Sequence, residues 1–193
     1  MAEFLRWYLA LQVIGLAALP LAFFCLRTLP DRGFAFARPL GLLVVGYLLW
    51  LGATLGFWAN RPVTVAALVG LVGAVGWLVW PETGSHLRAL WREQRRLILA
   101  TEGLFLGAFA LWALVRAYNP EIFATEKPME FAFLNAVLRS ERFPPVDPWL
   151  AGHSISYYYF GYVLVGLLAK LTATPAGVAF NLAIVFLFDL AAT

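Results

Sequence analysis

The sequence predicts an all-α, polytopic helical membrane protein with about six transmembrane helices and one long outer loop. Of its 193 residues, 62% are hydrophobic and only 13% are charged, whereas about 25% is usual for a soluble domain. The charges are also clustered, which leaves uncharged runs at 7–26, 39–60, 62–81 and 148–169. A helix of about 20 residues crosses the hydrocarbon core, and a helix satisfies its own backbone there.

The predicted spans follow these apolar runs in order along the chain. They are 7–26, 39–59, 62–80, 97–116, 156–172 and 176–193. Trp58 and Trp80 fall near predicted ends, as is typical of tryptophans at membrane interfaces. Glu102 is near one end of span four and can reach the interface. Asp189 lies within span six, and the predicted direction of that span places it near the long loop.

The positions of the basic residues predict the orientation of the chain. The loops after spans one and three, and the end of span five, carry eight lysines and arginines: Arg27, Arg32, Arg38, Arg88, Arg92, Arg95, Arg96 and Lys170. Because basic loops stay on the cytoplasmic side, we expect a plasma-membrane protein whose amino terminus and long loop 117–155 are extracytoplasmic. The basic stretch 86–97 then contacts anionic lipid headgroups. The sequence does not otherwise support nucleic-acid binding.

The long loop contains a predicted amphipathic helix. Pro128 suits the first helical turn, Glu126 suits the positive helix entry, and the prolines at 144–145 end the helix near Arg142. One face of the helix carries Phe131, Phe133, Leu134, Val137 and Leu138, and the other carries Asn135, Arg139 and Arg142. This pattern predicts a helix that lies on the membrane surface with its apolar side down.

Glu130 interrupts the apolar face of that helix. A carboxylate there must be paired, hydrogen-bonded, protonated or in a wet cavity. It either pairs with Lys127 or Arg139, or reaches water, or serves as a catalytic or binding group.

The other polar residues of the loop also have two interpretations each. Glu126 is a helix-start carboxylate or a catalytic group, and Lys127 is a topological charge or a phosphate ligand. Asp147 caps a turn between prolines or contacts substrate. His153 is an interfacial polar residue or a base.

Three segments of the chain resemble the YYY-signature membrane proteins of prokaryotes, a family of uncharacterised function. They are EKPMEFAFLNAVLRS (126–140), FPPVDPW (143–149) and SYYYFGY (156–162), and the resemblance covers about residues 115–190. In that family the first segment more often reads EKPMD, where this chain has the longer Glu130. The family is in turn similar to GT-C glycosyltransferases, which move a sugar from a polyprenyl-phosphate carrier on the outer membrane face.

The resemblance implies a division of the chain and a set of site residues. Residues 1–96 would be an amino-terminal three-helix region, and 97–193 the start of a GT-C-like core that continues beyond the carboxyl end. Glu130 or Glu126 would act as general base, and a lysine or arginine would offset charge on the lipid phosphate. The implied substrate-binding residues are Lys127, Arg139, Asp147, Trp149, His153, Tyr157, Tyr158 and Tyr159. The cofactor is open, with a divalent metal ion as one option.

Two alternatives are compatible with the same residues. The first is a non-enzymatic membrane protein, either a transporter fragment or a lipid-binding scaffold, in which Asp189 and Glu102 are pathway residues. The second is an inactive fragment of a longer protein. The partners expected in either case are membrane lipids, and the enzyme reading adds a polyprenyl-phosphate sugar donor.

The tyrosine triplet Tyr157–Tyr159 predicts one wall of a cavity. Consecutive residues on a helix point about 100° apart, so at least one tyrosine turns into the bundle. Its buried hydroxyl then needs a partner, for which Glu126, Glu130 and Asp147 are candidates. The other wall of the cavity would be the helix that carries Glu130.

Overall fold

The computed structural model describes residues 2–192, and the regular structure in that range is helical. The helices are α1 (Ala2–Cys25), α2 (Ala37–Leu55), α3 (Pro62–Val79), α4 (Thr83–Tyr118), α5 (Lys127–Arg139), α6 (Phe160–Thr172) and α7 (Ala176–Ala192). One isolated antiparallel bridge joins Val146 to Ser154. The predicted polytopic helical class is confirmed.

The number of spans is four or five rather than the predicted six. Helices α1 to α4 are each long and apolar enough to cross a membrane, and α6 and α7 form one further broken or re-entrant element that is bent by 118°. The apolar run from residue 148 includes an irregular segment, and regular helix begins only at Phe160. The 13 residues of α6 extend roughly 20 Å, which is too short for a core of about 30 Å.

The loops gather at two ends of the bundle. At the loop end, formed by 56–61, 119–126 and 140–156, Asn60 N donates to the Glu141 carbonyl (2.9 Å). There Arg61 also forms an ion pair with Glu141 (2.8 Å). At the basic end, formed by 26–36 and 80–96, the Gln94 amide donates to the Pro30 carbonyl (3.1 Å).

Local sequence explains where several helices begin, end and bend. Proline occupies the first turn of α3 and of α5, where its missing N–H costs nothing. Gly56 ends α2 with φ +86°, a left-handed conformation that glycine adopts without strain. Helix α4 is broken at Gln94. The break separates its arginine-rich start from its apolar spanning part.

The turn between α6 and α7 lies at the loop end. Lys170 Nζ donates to the Asn60 carbonyl (2.6 Å), and Trp7 Nε1 donates to Thr174 Oγ1 (3.1 Å). The prediction that Lys170 shares a side with the basic loops is therefore wrong. Counting charges assumed that each apolar run crosses the membrane, whereas α6 returns to the end that carries the long loop.

Helix α7 runs from the loop end toward the basic end, antiparallel to α4. Its Asn181 accepts a hydrogen bond from Arg116 near the end of α4, and Phe188 stacks on Trp112 with ring centroids 4.4 Å apart. Asp189 is buried and interacts electrostatically with Arg38 and Glu102. The prediction that Asp189 lies near the long loop is wrong because α7 runs in the opposite direction.

We expect Asn60→Ala to destabilise the fold by about 2–4 kcal/mol, because the change leaves buried carbonyls without donors. The Asn60 side chain is buried and its amide donates to the carbonyls of Val137 and Ser140, each at 2.9 Å. Unfolding of the purified protein in mixed detergent measures the loss, and proteolysis within 140–156 should accelerate. Asn119→Ala changes an exposed asparagine and serves as the control. Equal stability of the two variants would contradict this role of Asn60.

Candidate functional site

Two of the cavities at the loop end lie on opposite faces of α5. The first, the tyrosine cavity, has a volume of about 540 Å³. Its polar residues are Glu130, Tyr157, Tyr158 and Tyr162. Its remaining lining is mainly apolar and comes mostly from α2, α6 and α7, including Leu42, Leu168 and Phe186, with Trp7 from α1 and Leu134 from α5. The cavity therefore combines one carboxylate and three phenols with a long apolar wall.

Packing of α5 against α6 and α7 turns Glu130 toward this cavity. Phe133 contacts Tyr162 (ring centroids 5.8 Å apart), and Phe131 meets Phe180 edge to face. A Cβ on Gly166 would lie 3.0 Å from Val137, so the two helices approach closely there. The apolar face of α5 is thus covered by protein and does not lie on the membrane, contrary to prediction.

Helix α5 also ends at Arg139, three residues before the predicted end at Arg142. Ser140 has an extended backbone. The Asn60 amide binds the carbonyls of Val137 and Ser140, which lie at the end of the helix. The hydrogen bonds from Asn60, in a distant loop, therefore stabilise the end of α5, which lies before the prolines at 144–145.

The tyrosine triplet precedes α6 and is not helical. Tyr159 is the N-terminal cap residue of α6, and its hydroxyl accepts a hydrogen bond from Trp50 Nε1 (2.8 Å). The prediction that one tyrosine turns inward is confirmed, but its partner is a tryptophan rather than a carboxylate. Tyr157 and Tyr158 are 46% and 82% exposed, and both line the tyrosine cavity.

Tyr162 is a cavity residue that the sequence reasoning missed. It lies in the first turn of α6, and both Glu130 and Glu126 are near enough to interact electrostatically with it. Its spacing from Tyr159 could have indicated it. Residues three positions apart on a helix are neighbours on its surface, so Tyr162 lies near the face that carries Tyr159.

The second cavity, the arginine pocket, has a volume of about 760 Å³ and lies on the other face of α5. Its polar lining is Asn135, Arg139, Ser140, Glu141, Arg142 and Asp147. Glu141 is held by Arg61, with which it forms an exposed ion pair. The structure therefore places Arg139 and Glu130 in different cavities.

Asp147 serves as a turn cap. Its Oδ1 accepts hydrogen bonds from the backbone N–H groups of Trp149 (2.8 Å) and Leu150 (3.1 Å). Its own N–H donates to the His153 carbonyl (2.8 Å). This confirms the turn-capping interpretation, although Asp147 also lines the arginine pocket.

The remaining predicted site residues lie outside both cavities. Trp149 and His153 are exposed on the 147–154 turn, and Glu126 is exposed at the start of α5. Lys127 is half-buried one turn before Glu130, and none of these four lines the tyrosine cavity or the arginine pocket.

A charge cluster inside the bundle was also missed. Arg38 is buried, forms an ion pair with Glu102, and donates to Gln12 Oε1 (3.0 Å). The Gln12 amide donates to Glu102 (3.1 Å), and Asp189 interacts electrostatically with the pair. Arg38 is therefore not a loop charge, and Glu102 turns into the bundle instead of reaching the interface.

Phe105 and Gly15 provide the space for this cluster. The Arg38 guanidinium lies 4.0 Å from the centre of the Phe105 ring, a cation–π geometry. A Cβ on Gly15 would lie 2.7 Å from Arg38 Cγ, so only glycine leaves room for the arginine stem at this backbone spacing.

The described residues do not supply a metal-ligand set. Within 2–192, no three His, Cys, Asp or Glu side chains are grouped so that they could hold a metal ion. No chemical step is assigned to a divalent ion.

These features define a polytopic helical membrane protein with a carboxylate in the lining of a mainly apolar cavity. A family model described as an uncharacterized membrane protein (DUF2298) matches residues 44–193, and the chain belongs to this family. The match includes α3 and the part of α4 before residue 115, which the resemblance over 115–190 did not cover. No curated protein and no solved structure matches the chain.

Proposed function

We propose that the protein is a glycosyltransferase-like membrane protein that takes a sugar from a polyprenyl-phosphate donor. The observation that carries the proposal is the tyrosine cavity, in which Glu130 and three tyrosines stand at one side of an apolar space of about 540 Å³. Such volumes are typical of small-molecule sites that combine apolar walls with a few polar groups.

The walls of the cavity suit an isoprenoid tail. They come mostly from α2, α6 and α7, and two of their members, Leu43 and Leu187, are strongly exposed on the bundle surface. In a membrane these positions face lipid, so a carrier tail can enter from the side. The phenol faces of Tyr157 and Tyr158 are available to stack on a sugar.

Glu130 is the group that we assign as general base. The acceptor hydroxyl oxygen bonds to the sugar's anomeric carbon while the bond from that carbon to the donor phosphate oxygen breaks. Glu130 takes the hydroxyl proton, and polyprenyl phosphate leaves with the bond's electron pair. A positioned carboxylate of this kind typically contributes about 10²–10⁴-fold to rate.

One cation, Lys127, is a helical neighbour of Glu130. Lys127 is one helical turn before it, and residues three apart on a helix are neighbours. Lys127 is therefore our candidate for offsetting charge on the leaving phosphate. Arg139 and Arg142 line the arginine pocket on the opposite face of α5, so we assign them no part in this step.

We place the loop end outside the cytoplasm. With Lys170 at the loop end and Arg38 buried, the basic-end loops still contain six arginines: Arg27, Arg32, Arg88, Arg92, Arg95 and Arg96. The same loops contain three carboxylates. This arginine excess in short loops supports a cytoplasmic basic end and a donor site on the outer face.

The test uses the full chain, purified and reconstituted with polyprenyl-phosphate hexose that is radiolabelled in the sugar. We expect release of polyprenyl phosphate together with transfer of label to a polar acceptor. A diazirine on the isoprenoid should crosslink to α2 or α7 residues of the tyrosine cavity. Absence of both release and crosslinking in folded protein would refute the proposal.

A non-enzymatic function is the second candidate, and the charge cluster favours it. Charged residues inside membrane bundles commonly mark transport pathways. In this bundle Arg38 pairs with Glu102, and Asp189 interacts electrostatically with both. A lipid-binding scaffold or transporter fragment would give the same crosslink without release of polyprenyl phosphate. The two readouts therefore separate the candidates.

A further inference from the structure

Another cavity lies at the basic end, far along the chain from the residues assigned to sugar transfer. This basic pocket has a volume of about 280 Å³ and includes Phe24, Arg27, Arg32, Trp80 and His86 in its lining. It is formed where the end of α1, the 26–36 loop and the start of α4 meet. The proposed transfer reaction does not use these residues.

The floor of the basic pocket is aromatic. Phe24 at the end of α1 stacks on Trp80 at the end of α3, with ring centroids 4.8 Å apart and planes inclined by 30°. Phe24 is about half exposed. Tryptophan at the end of a span commonly sits at headgroup level, so this floor lies where an acyl chain joins its headgroup.

The loop that carries Arg32 is held in a defined conformation. The Asp31 carboxylate accepts hydrogen bonds from the N–H groups of Gly33 (3.0 Å) and Ala35 (2.9 Å). Arg32 itself has φ +53°, a left-handed conformation that costs energy in any residue with a side chain. The turn formed by Asp31 therefore holds Arg32 beside the pocket. The Asp31 carboxylate itself is engaged by these two backbone N–H groups.

The charge of this end is positive and concentrated. The basic-end loops contain six arginines and three carboxylates, a net charge of +3. Within residues 2–192, neither Arg27 nor Arg32 forms an ion pair. Glu82 also lines the pocket and is exposed, so the lining carries two guanidinium groups and one carboxylate.

We propose that the basic pocket binds the headgroup phosphate of an anionic phospholipid. Guanidinium groups bind phosphate oxygens in bidentate geometry, and basic pockets between membrane helices recognise anionic headgroups. Arg27 and Arg32 hold the phosphodiester, His86 lies beside it, and the first acyl carbons rest on Phe24 and Trp80. The aromatic floor is the reason for choosing a lipid over a soluble phosphate.

The experiment compares two double variants of the full chain in detergent by native mass spectrometry. Arg27→Gln with Arg32→Gln removes the cations of the pocket. Arg92→Gln with Arg95→Gln removes the same charge from exposed positions of α4 outside it. The titrants are phosphatidylglycerol and phosphatidylcholine of the same chain length, and thermal unfolding checks that each variant folds.

We expect wild-type protein to retain phosphatidylglycerol over phosphatidylcholine. The pocket variant should bind phosphatidylglycerol about tenfold more weakly, and the control variant less than about threefold. Equal loss in both variants would show a diffuse charge effect, and equal retention of the two lipids would show no headgroup recognition. Displacement of the lipid by millimolar inorganic phosphate would identify a soluble-phosphate site. Each of these three results overturns the proposal.

Arg27→Lys with Arg32→Lys provides a further check. The variant keeps both charges but loses the bidentate geometry, so its affinity for phosphatidylglycerol should fall between those of the wild type and the glutamine variant. Wild-type affinity in the lysine variant would contradict recognition by the guanidinium groups.

Discussion

Replacing Glu130 by glutamine should lower sugar transfer by about 10²–10⁴-fold, which is the usual contribution of a positioned general base. Glutamine keeps the size and polarity of the side chain but cannot take a proton. Because Glu130 is half-buried at the side of the tyrosine cavity, the substitution should leave the fold intact. Release of polyprenyl phosphate by reconstituted protein measures the loss.

Two further carboxylates provide matched comparisons for this result. Glu121→Gln changes an exposed residue outside the tyrosine cavity and the arginine pocket and should retain full activity. Glu126→Gln should have a smaller effect than Glu130→Gln, because Glu126 is exposed and does not line the tyrosine cavity. If Glu126→Gln abolished transfer while Glu130→Gln remained active, the base would be reassigned to Glu126.

The position of Glu130 could be predicted from the sequence because it depends on one helix. Pro128 fixes where α5 begins, and helical spacing then puts Glu130 on the face of Leu134. The same spacing puts Arg139 about 180° from Glu130, since nine residues turn a helix through about 900°. The sequence could therefore also have predicted that Arg139 and Glu130 lie in different cavities.

The direction of α6 could not be predicted in the same way. An apolar run indicates that a segment avoids water. It does not distinguish a helix that crosses the membrane from one that returns to the side where it began. The contacts that decide the matter join distant parts of the chain, as in the hydrogen bonds from Lys170 to Asn60 and from Trp7 to Thr174. Both depend on how helices pack, which the periodicity of one segment does not specify.

The burial of Arg38 in the charge cluster also could not be predicted from its neighbours in sequence. Arg38 sits beside Pro39 at the start of α2, so its neighbours in sequence indicated a loop. In the fold, α1 offers Gly15 at the point where the arginine stem passes. The burial of Arg38 thus follows from the register of two helices, and Gln12 and Glu102 complete its hydrogen bonds.

Arg38→Leu should destabilise the protein by about 3–5 kcal/mol, since it leaves a carboxylate inside the bundle without its cation. Arg38 is 4% exposed and Glu102 is its ion-pair partner. The double variant Arg38→Leu with Glu102→Leu should recover part of this loss, because it removes both charges. Reversible unfolding in mixed detergent measures the coupling between the two sites.

The exposed Arg61–Glu141 ion pair provides the control for that cycle, since both of its side chains are more than half exposed. Pairs of this kind contribute about 0–1 kcal/mol, so Arg61→Leu should change stability little. A small effect of Arg38→Leu, similar to that of Arg61→Leu, would show that the cluster does not stabilise the bundle. If stability fell and lipid crosslinking in the tyrosine cavity persisted in the double variant, the cluster would be a structural clamp rather than part of a transport pathway.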